Sequence, residues 1–376
     1  MQGNEKFLGR VASYAHKHAL WREGERILAA VSGGPDSLAL LLALKLLAVK
    51  EKINIGCCCV NHHLRAAAGK EAEFVESVCR EWNIPFILKE VDVQSAVRNG
   101  GSIETAARDL RYKALREAAR GGGYAKIAVA HHGDDQAETV LYHLLRGSGV
   151  TGLSGMKPIN GDIIRPFLCV SKNEIKDFLK DFSYVPCHDE SNDVEDAVRN
   201  RIRLSLVPEL ISYNPRVTES LRRTADIFRE EDLFMEEKAD VFISSCVEHD
   251  NDKCVFFIAY FLVLHIALQR RVIRKICCMV AGHIPSFEGT EKFIFLIDAG
   301  KTGSVTSSSG TFLEIQYGKA IFYKGSTQNR IPAGKLKNVG TSAAVLSELV
   351  KRLIEHLGQW RIEKVILSKQ PDFIEK

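Results

Sequence analysis

The run Ala29-Ala-Val-Ser-Gly-Gly-Pro-Asp-Ser-Leu38 constrains this chain more than any other stretch. An apolar segment, "ILAAVS", stops at two glycines, a proline, an aspartate and a serine, then resumes as "LALLLALKLL". A strand that turns through glycine straight into a helix leaves the N–H groups of the first helical turn without intrahelical partners, beside the positive end of the helix dipole. Such a turn is an anion cradle. Gly33 and Gly34 let the backbone approach a phosphate, and Pro35 suits an early helical position that has no N–H to spare. Ser32 and Ser37 add hydroxyl donors. Asp36 is repelled by phosphate unless a cation lies between them, which points to Mg2+. A glycine turn of this length also serves many α/β proteins only to reverse the chain. It is not a Walker A loop: the lookalike Gly300-Lys301-Thr302 has Phe295 where that pattern needs its first glycine.

From Ile27 to about Phe182, short β-branched runs ("ILAAVS", "INIGCCCV", "FILKEVDV", "KIAVAH") alternate with longer helical stretches. That rhythm predicts βαβ units around a parallel sheet. Helices are expected to begin near Asp36, Gly69, Ser102 and Asp134, the third ending at Gly121-Gly122-Gly123. A fifth opens on a capping box, Ser171 to Glu174. "CHDESNDVEDAVRNRIR" reads as a polar loop entering a helix, and Pro208 to Arg274 reads as mainly helical. "KFIFLID" and "TFLEIQYGKAIFYK" read as strands. Val255–Leu268 reads as one buried helix, too short to span a bilayer. Beyond Arg330 one amphipathic pattern remains: Val345, Leu346, Leu349, Val350, Leu353, Ile354 and Leu357.

The chain has 376 residues, enough for two or three domains, and a formal charge of +4, which permits an RNA partner without demanding one. No secretory leader is visible at the N-terminus. The 10 cysteines include the consecutive Cys57-Cys58-Cys59 but no Cys-x-x-Cys pair, so buried reduced thiols and a cytoplasmic setting are expected.

Four further blocks accompany the loop: "VNHHLR" (60–65), "IETAARDLRYKAL" (103–115), "AHHGDDQAETVLYHLLRGSGVTGLSGM" (130–156) and "DESNDVEDAVRNRIRLSLVPEL" (189–210). The loop resembles that of the N-type ATP pyrophosphatases. All five in this order resemble the tRNA(Ile)-lysidine synthetase family over about residues 25–215, with a weaker likeness at 269–324. His63 stands where that family usually has glycine. The resemblance implies a Rossmann-like PP-loop catalytic domain at 1–210, a helical linker and small α+β tRNA-binding domain at 211–330, and a divergent tail at 331–376. It also implies a two-step reaction. The O2 of the wobble cytidine of a CAU-anticodon tRNA(Ile) attacks the α-phosphorus of ATP, releasing pyrophosphate. Free L-lysine then attacks C2 through its ε-amine and displaces AMP, giving lysidine.

On that resemblance Ser32, Gly33, Gly34, Pro35, Asp36, Ser37, His62, Arg108 and Arg111 are expected to bind ATP. Asp36 and Asp135 are expected to hold Mg2+, and Asp36, His132 and Asp135 to be catalytic. Asp135, Glu138 and Tyr142 share one helical face. The resemblance places Asp135 and Glu138 at the two amines of lysine and Arg203 near its carboxylate. At neutral pH, freeing the ε-amine of its proton costs about 4–5 kcal/mol, and Asp135 is the expected acceptor. Helix capping is the plainer role for Asp134 and Asp135, and an intrahelical pair with Glu104 is the plainer role for Arg108. Arg199, Arg201, Arg270, Arg271 and Arg274 are the expected RNA contacts. A membrane partner is not expected, and a homodimer is allowed. Two rivals stay open: another PP-loop tRNA-modifying enzyme, and a nucleotide-binding module without catalysis.

Overall fold

The structure, a computed structural model, describes residues 2–62, 68–93, 103–180, 182, 197–250 and 253–325. The tail pattern beyond Arg330, together with His63, Asp189 and the Glu104 side chain, lies outside the described residues. The chain divides into two compact units, Met1–Arg229 and Glu230 onward.

The first unit is built on β1 (Arg26–Ala30), β2 (Asn54–Asn61), β3 (Phe86–Glu90), β4 (Lys126–Ala128), β5 (Ile159–Asn160) and β6 (Ile163–Ile164). They form one sheet in the order β3-β2-β1-β4-β6-β5, parallel except for the β5–β6 hairpin. Helices α1 (Gln2–Lys17), α2 (Pro35–Glu51), α3 (Ala68–Glu81), α4 (Ile103–Gly122), α5 (Gly133–Leu145), α6 (Val150–Leu153) and α7 (Lys172–Lys180) accompany it. The chain moves outward from β1 to β2 and β3, then returns to place β4 on β1's other side. A parallel sheet has its ligand crevice at such a reversal, outside the carboxyl ends of the strands. Here that crevice lies between the ends of β1 and β4.

Helix α2 explains the unbroken apolar run after the loop. Leu38 to Leu44 and Leu47 are all buried, so the helix is covered on every side. Helix α1 buries the stripe Phe7, Val11 and Ala15. Phe7 stacks on Phe178 of α7 and meets Phe167 edge-on. The expected capping box at α7 is present: the Ser171 hydroxyl accepts from the Glu174 N–H at 3.3 Å, and the Glu174 carboxylate accepts from the Ser171 N–H at 2.8 Å.

After α8 (Ala197–Arg201) the chain passes through a π-helical turn, Ile202–Leu206, into α9 (Val207–Tyr213). Pro208 sits at the start of α9, where its ring lacks an N–H and crowds the preceding turn; a widened turn relieves that crowding. The boundary between the units falls inside α10 (Val217–Cys246).

The second unit carries an antiparallel sheet in the order β7-β8-β11-β10-β9. Its strands are β7 (Glu248–Asp250), β8 (Lys253–Phe257), β9 (Val305–Ser308), β10 (Thr311–Gln316) and β11 (Lys319–Lys324). Helices α11 (Ile258–Leu262), α12 (Ile266–Ala281) and α13 (Phe287–Ala299) bury Phe261, Ile273, Ile276, Phe293 and Ile297 against one face. The expected "TFLEIQYGKAIFYK" hairpin is β10–β11.

Two expectations are corrected in this unit. Val255–Leu268 is not one helix: Val255–Phe257 completes β8, Ile258–Leu262 is a short helix, and α12 begins at Ile266. "KFIFLID" is helical, with Phe293, Ile294 and Ile297 inward and Phe295 at 76% exposure. Ser286 caps that helix and Gly300 ends it in a left-handed conformation, so the Walker lookalike is a helix stop. Among the described residues the thiols are free but not uniformly buried, since Cys278 is exposed.

Two measurements test α7. Ser171→Ala should lower the unfolding free energy by about 1 kcal/mol, read as a lower urea midpoint at unchanged slope. Burial raises the Glu174 carboxyl, but hydrogen bonds from Ser171 and Arg10 more than offset it and hold the group below its usual range. Its contribution is therefore present above the unfolded value, about 4.3, and is lost as pH falls through the folded value. In Glu174→Gln that part of the acid sensitivity should vanish, flattening stability between about pH 5 and pH 3.

Candidate active site

The loop after β1 is held in shape by its own serines. The Ser32 N–H donates to the Ser37 hydroxyl at 3.1 Å, and that hydroxyl donates to the Gly34 carbonyl at 2.9 Å. Gly33 has φ +88°, a conformation that side chains rarely adopt. Gly34 caps α2 with no side-chain hydrogen bond, so the first-turn N–H groups face an uncapped helix start. A side chain on Gly34 would stand 3.6 Å from the Ser32 hydroxyl, within the mouth of the cradle. His62 follows the last residue of β2 at the same carboxyl edge of the sheet.

His132 ties this loop to the end of β4. It is 4% exposed and caps α5. Its Nδ1 accepts from the Asp135 N–H at 3.4 Å, while the Asp135 carboxylate accepts from the His132 N–H at 2.9 Å. With Nδ1 an acceptor, the neutral ring carries its proton on Nε2. That nitrogen lies 3.4 Å from Asp135 Oδ2 and 3.8 Å from Asp36 Oδ2. One imidazole therefore stands between carboxylates from two different elements.

The carboxylates beside it differ in kind. Asp134 accepts from the Lys172 N–H at 2.7 Å, so it caps α7. Asp36 is pushed above the usual carboxylate range by burial, and its Oδ1 is buried with no hydrogen-bond partner. Burial raises Asp135 too, but His132, His131, the His132 backbone bond and Arg203 more than reverse that and hold it low. Asp135 is thus held as the charged carboxylate beside Arg203.

Glu138, 5% exposed, lies one turn further along α5. Arg203, from the π-helical turn, donates to it from Nε at 2.8 Å and from Nη2 at 3.0 Å, and reaches Asp135 Oδ1 at 3.4 Å. The fork expected at a lysine carboxylate is turned onto the two acids instead. A bidentate ion pair that replaces hydration is the low-energy arrangement when no other cation is present.

The expected RNA contacts separate into groups. Arg199 donates to the Thr139 hydroxyl at 3.3 Å and so faces α5, whereas Arg201 and Arg274 are exposed. Arg270 is paired with Glu291 at 2.8 Å, and Arg271 with Asp232 at 2.7 Å and Glu236 at 2.5 Å, so their charge is already offset. Arg108 and Arg111 lie 5.2 and 5.4 Å from the centre of the Tyr112 ring. A depression of about 840 Å³ in the second unit is lined by Glu236, Glu237 and Asp240 and contains none of the expected site residues. Among the described residues no group of three or more His, Cys, Asp or Glu converges as a metal cage.

The sequence reading missed Gln136 and Arg165. Gln136 pins the turn after α6 through Met156 N–H at 2.7 Å and the Ser154 and Met156 carbonyls at 3.3 and 3.2 Å. Arg165, buried directly after β6, donates to the Lys157 carbonyl at 2.8 Å. Its signal in the sequence was a charged residue closing the apolar run "DIIRPFL".

The PP-loop domain family (ATP_bind_3) matches residues 5–210. The tRNA(Ile)-lysidine synthase of Caldanaerobacter subterraneus subsp. tengcongensis is 32% identical over 97% of this chain and 77% of its own length. That of Thermotoga sp. (strain RQ2) is 34% identical over 80% of this chain and 72% of its own. Among solved structures, the U34-tRNA thiolase NcsA from Methanococcus maripaludis covers 60% of this chain and 80% of its own, with a TM-score of 0.50 and 17% identity, a likeness of fold alone. Among the described residues no helix is long and apolar enough to cross a membrane. With the PP-loop match covering the cradle and α5, and full-length relatives aligned through the second unit, the chain belongs to the tRNA(Ile)-lysidine synthase family.

Proposed function

We propose that this chain uses ATP to join L-lysine to C2 of the wobble cytidine in a CAU-anticodon tRNA(Ile), releasing AMP and pyrophosphate. The observation that carries the reading is the junction of an uncapped, glycine-lined helix start with a buried acidic pair through one histidine. Polyphosphate and ammonium are opposite in charge, and the crevice offers each its complement within one edge of the sheet.

In the first half-reaction the cradle N–H groups and the Ser32 and Ser37 hydroxyls hold the phosphates and stabilise the departing pyrophosphate. Asp36, whose buried Oδ1 lacks a hydrogen-bond partner, would hold Mg2+. Asp135 fits that metal poorly, because its two oxygens already accept from the His132 N–H and from Arg203. When bound there, Mg2+ neutralises charge on the leaving group.

In the second half-reaction Asp135 and Glu138 anchor an amine of lysine, which takes the place that the Arg203 guanidinium occupies. Released from Glu138, Arg203 can turn to the substrate carboxylate. Asp36, which faces His132 from the start of α2, is the proposed proton acceptor for the attacking ε-amine. His132, held between Asp36 and Asp135, fixes their separation and keeps a proton on Nε2.

Incubation with ATP, Mg2+, radiolabelled lysine and an unmodified CAU-anticodon transcript should place label in the RNA and yield AMP; ADP in its place would sink the reading. Asp135→Asn should raise the KM for lysine about 10–100-fold, the equivalent of one charge-assisted hydrogen bond. Release of pyrophosphate before lysine is added should change little. Asp36→Asn should slow both halves; an unchanged rate of lysine addition from preformed adenylated RNA would remove Asp36 from the acceptor role.

A further inference from the structure

We propose that residues 345–357 of this same chain dock on the second face of the antiparallel sheet, the face opposite helices α10 to α13, and bring Arg352 to the buried side chains of Glu314 and Gln316.

Strand register defines the two faces. Leu313, Ile315, Phe322 and Phe256 share an apolar cluster with Phe242, Ile273 and Phe293 of the helices. The alternate residues of the same strands point the other way. Ile321 stands at the centre of that second face, with Glu314 opposite it on β10 and Val255 opposite it on β8. In the next row the Phe312 and Tyr323 rings stack at 5.6 Å. Val255, Ile321 and Tyr323 form an apolar cluster of their own, with Phe312 packed against it, and every member comes from a strand.

Strand neighbours shield the flanks of a side chain that stands on a sheet, but not its tip. Yet within a single chain Ile321 is 0% exposed, and Glu314 and Gln316 are 6% exposed each. A cover supplied by the chain itself accounts for that burial, whereas a second copy does not. The polar pair says what the cover must bring. Gln316 Nε2 donates to Glu314 Oε1 at 2.7 Å, which leaves Glu314 Oε2 and Gln316 Oε1 buried with no hydrogen-bond partner among the described residues. Both orphans are acceptors, and one belongs to a carboxylate. Such a pair is costly until a donor reaches it, and a cationic donor is its complement.

The segment after β11 matches this face in reach, length and charge. β11 is the middle strand of the five, so the chain leaves the sheet at its centre, after Lys324. About 20 residues lead from there to Val345, enough to span roughly 65 Å when extended, against a sheet about 20 Å wide. From Val345 to Leu357 seven apolar residues recur at helical spacing. A helix of that length is about 20 Å long, equal to the width of the sheet. Arg352 follows Leu349 by three positions and Val345 by seven, which sets a guanidinium along one edge of the apolar stripe. The stripe meets Ile321, Val255 and Tyr323, and the edge meets Glu314.

Ile321→Cys puts a thiol at the centre of the covered face. Labelling of the full chain with N-ethylmaleimide, read residue by residue by fragmentation mass spectrometry, reports its access. Cys254, buried against the helices, and the exposed Cys278 are internal references. Where Ile321→Cys by itself exposes Cys254, the nearly isosteric Val255→Cys takes its place. With residues 345–357 unchanged, the new thiol should react at least 10-fold more slowly than Cys278. Adding Leu349→Glu and Leu353→Glu should raise its rate at least 10-fold while Cys254 stays slow. Should Cys254 quicken as well, Leu349→Ala with Leu353→Ala decides by the ratio of the new thiol's rate to that of Cys254. A new thiol as reactive as Cys278 in the unaltered background means an open face. One that stays slow through these substitutions means a different cover, and either result overturns the docking. So does a rate that rises on dilution, which assigns the cover to a second copy. The contact at Glu314 has its own readout: Arg352→Met and Glu314→Gln should each speed labelling, and together no more than either alone. Additive acceleration would overturn that contact.

Discussion

The site depends on one buried imidazole held between two carboxylates. His132 caps α5 through Nδ1, and its Nε2 lies 3.4 Å from Asp135 Oδ2 and 3.8 Å from Asp36 Oδ2. Asp36 belongs to the first turn of the helix after β1 and Asp135 to the helix after β4, and those strands are neighbours only because the sheet reverses direction at β1. The topology creates the crevice, and the histidine fixes its width. Without a proton on Nε2 the two carboxylates would face each other across a low-dielectric gap, where like charges repel strongly.

Charge is partitioned within the crevice rather than averaged. The start of α2 is uncapped, whereas Asp135 and Glu138 form an acidic pair held by Arg203. Arg203 mediates between the two, because in the structure it neutralises the acids that a cationic substrate would otherwise neutralise. That arrangement keeps a ligand-free acidic pair from being a buried, uncompensated charge, which is the expensive state. It also means that a cation entering there must displace an internal one, so its binding strength is set by a difference between two ion pairs and not by one.

Much of this was legible in the residues. The glycine turn, the strand–helix alternation and the capping box at Ser171 are local signals, and each is present where expected. The helical spacing of Asp135 and Glu138 correctly put both on one face. What local pattern could not distinguish was helix from strand in short apolar runs. In "KFIFLID" Phe293 and Ile297 satisfy both a two-residue and a four-residue repeat, and only the burial of Ile294 with exposure of Phe295 decides for helix. In Val255–Leu268 an apolar run crosses a strand end and a helix start without a break.

Pairings between distant residues were illegible for a different reason. Asp134 and Asp135 are adjacent and chemically identical, yet one caps α7 across 38 positions and the other faces the site. Nothing in the sequence assigns the cap, since the choice is made by which way the start of α5 turns relative to α7. The same holds for the arginines: Arg270, Arg271 and Arg274 form one basic run, but two are neutralised by acids from other helices and one is left exposed. A basic cluster in a sequence gives gross charge, whereas recognition depends on the net charge after internal pairing.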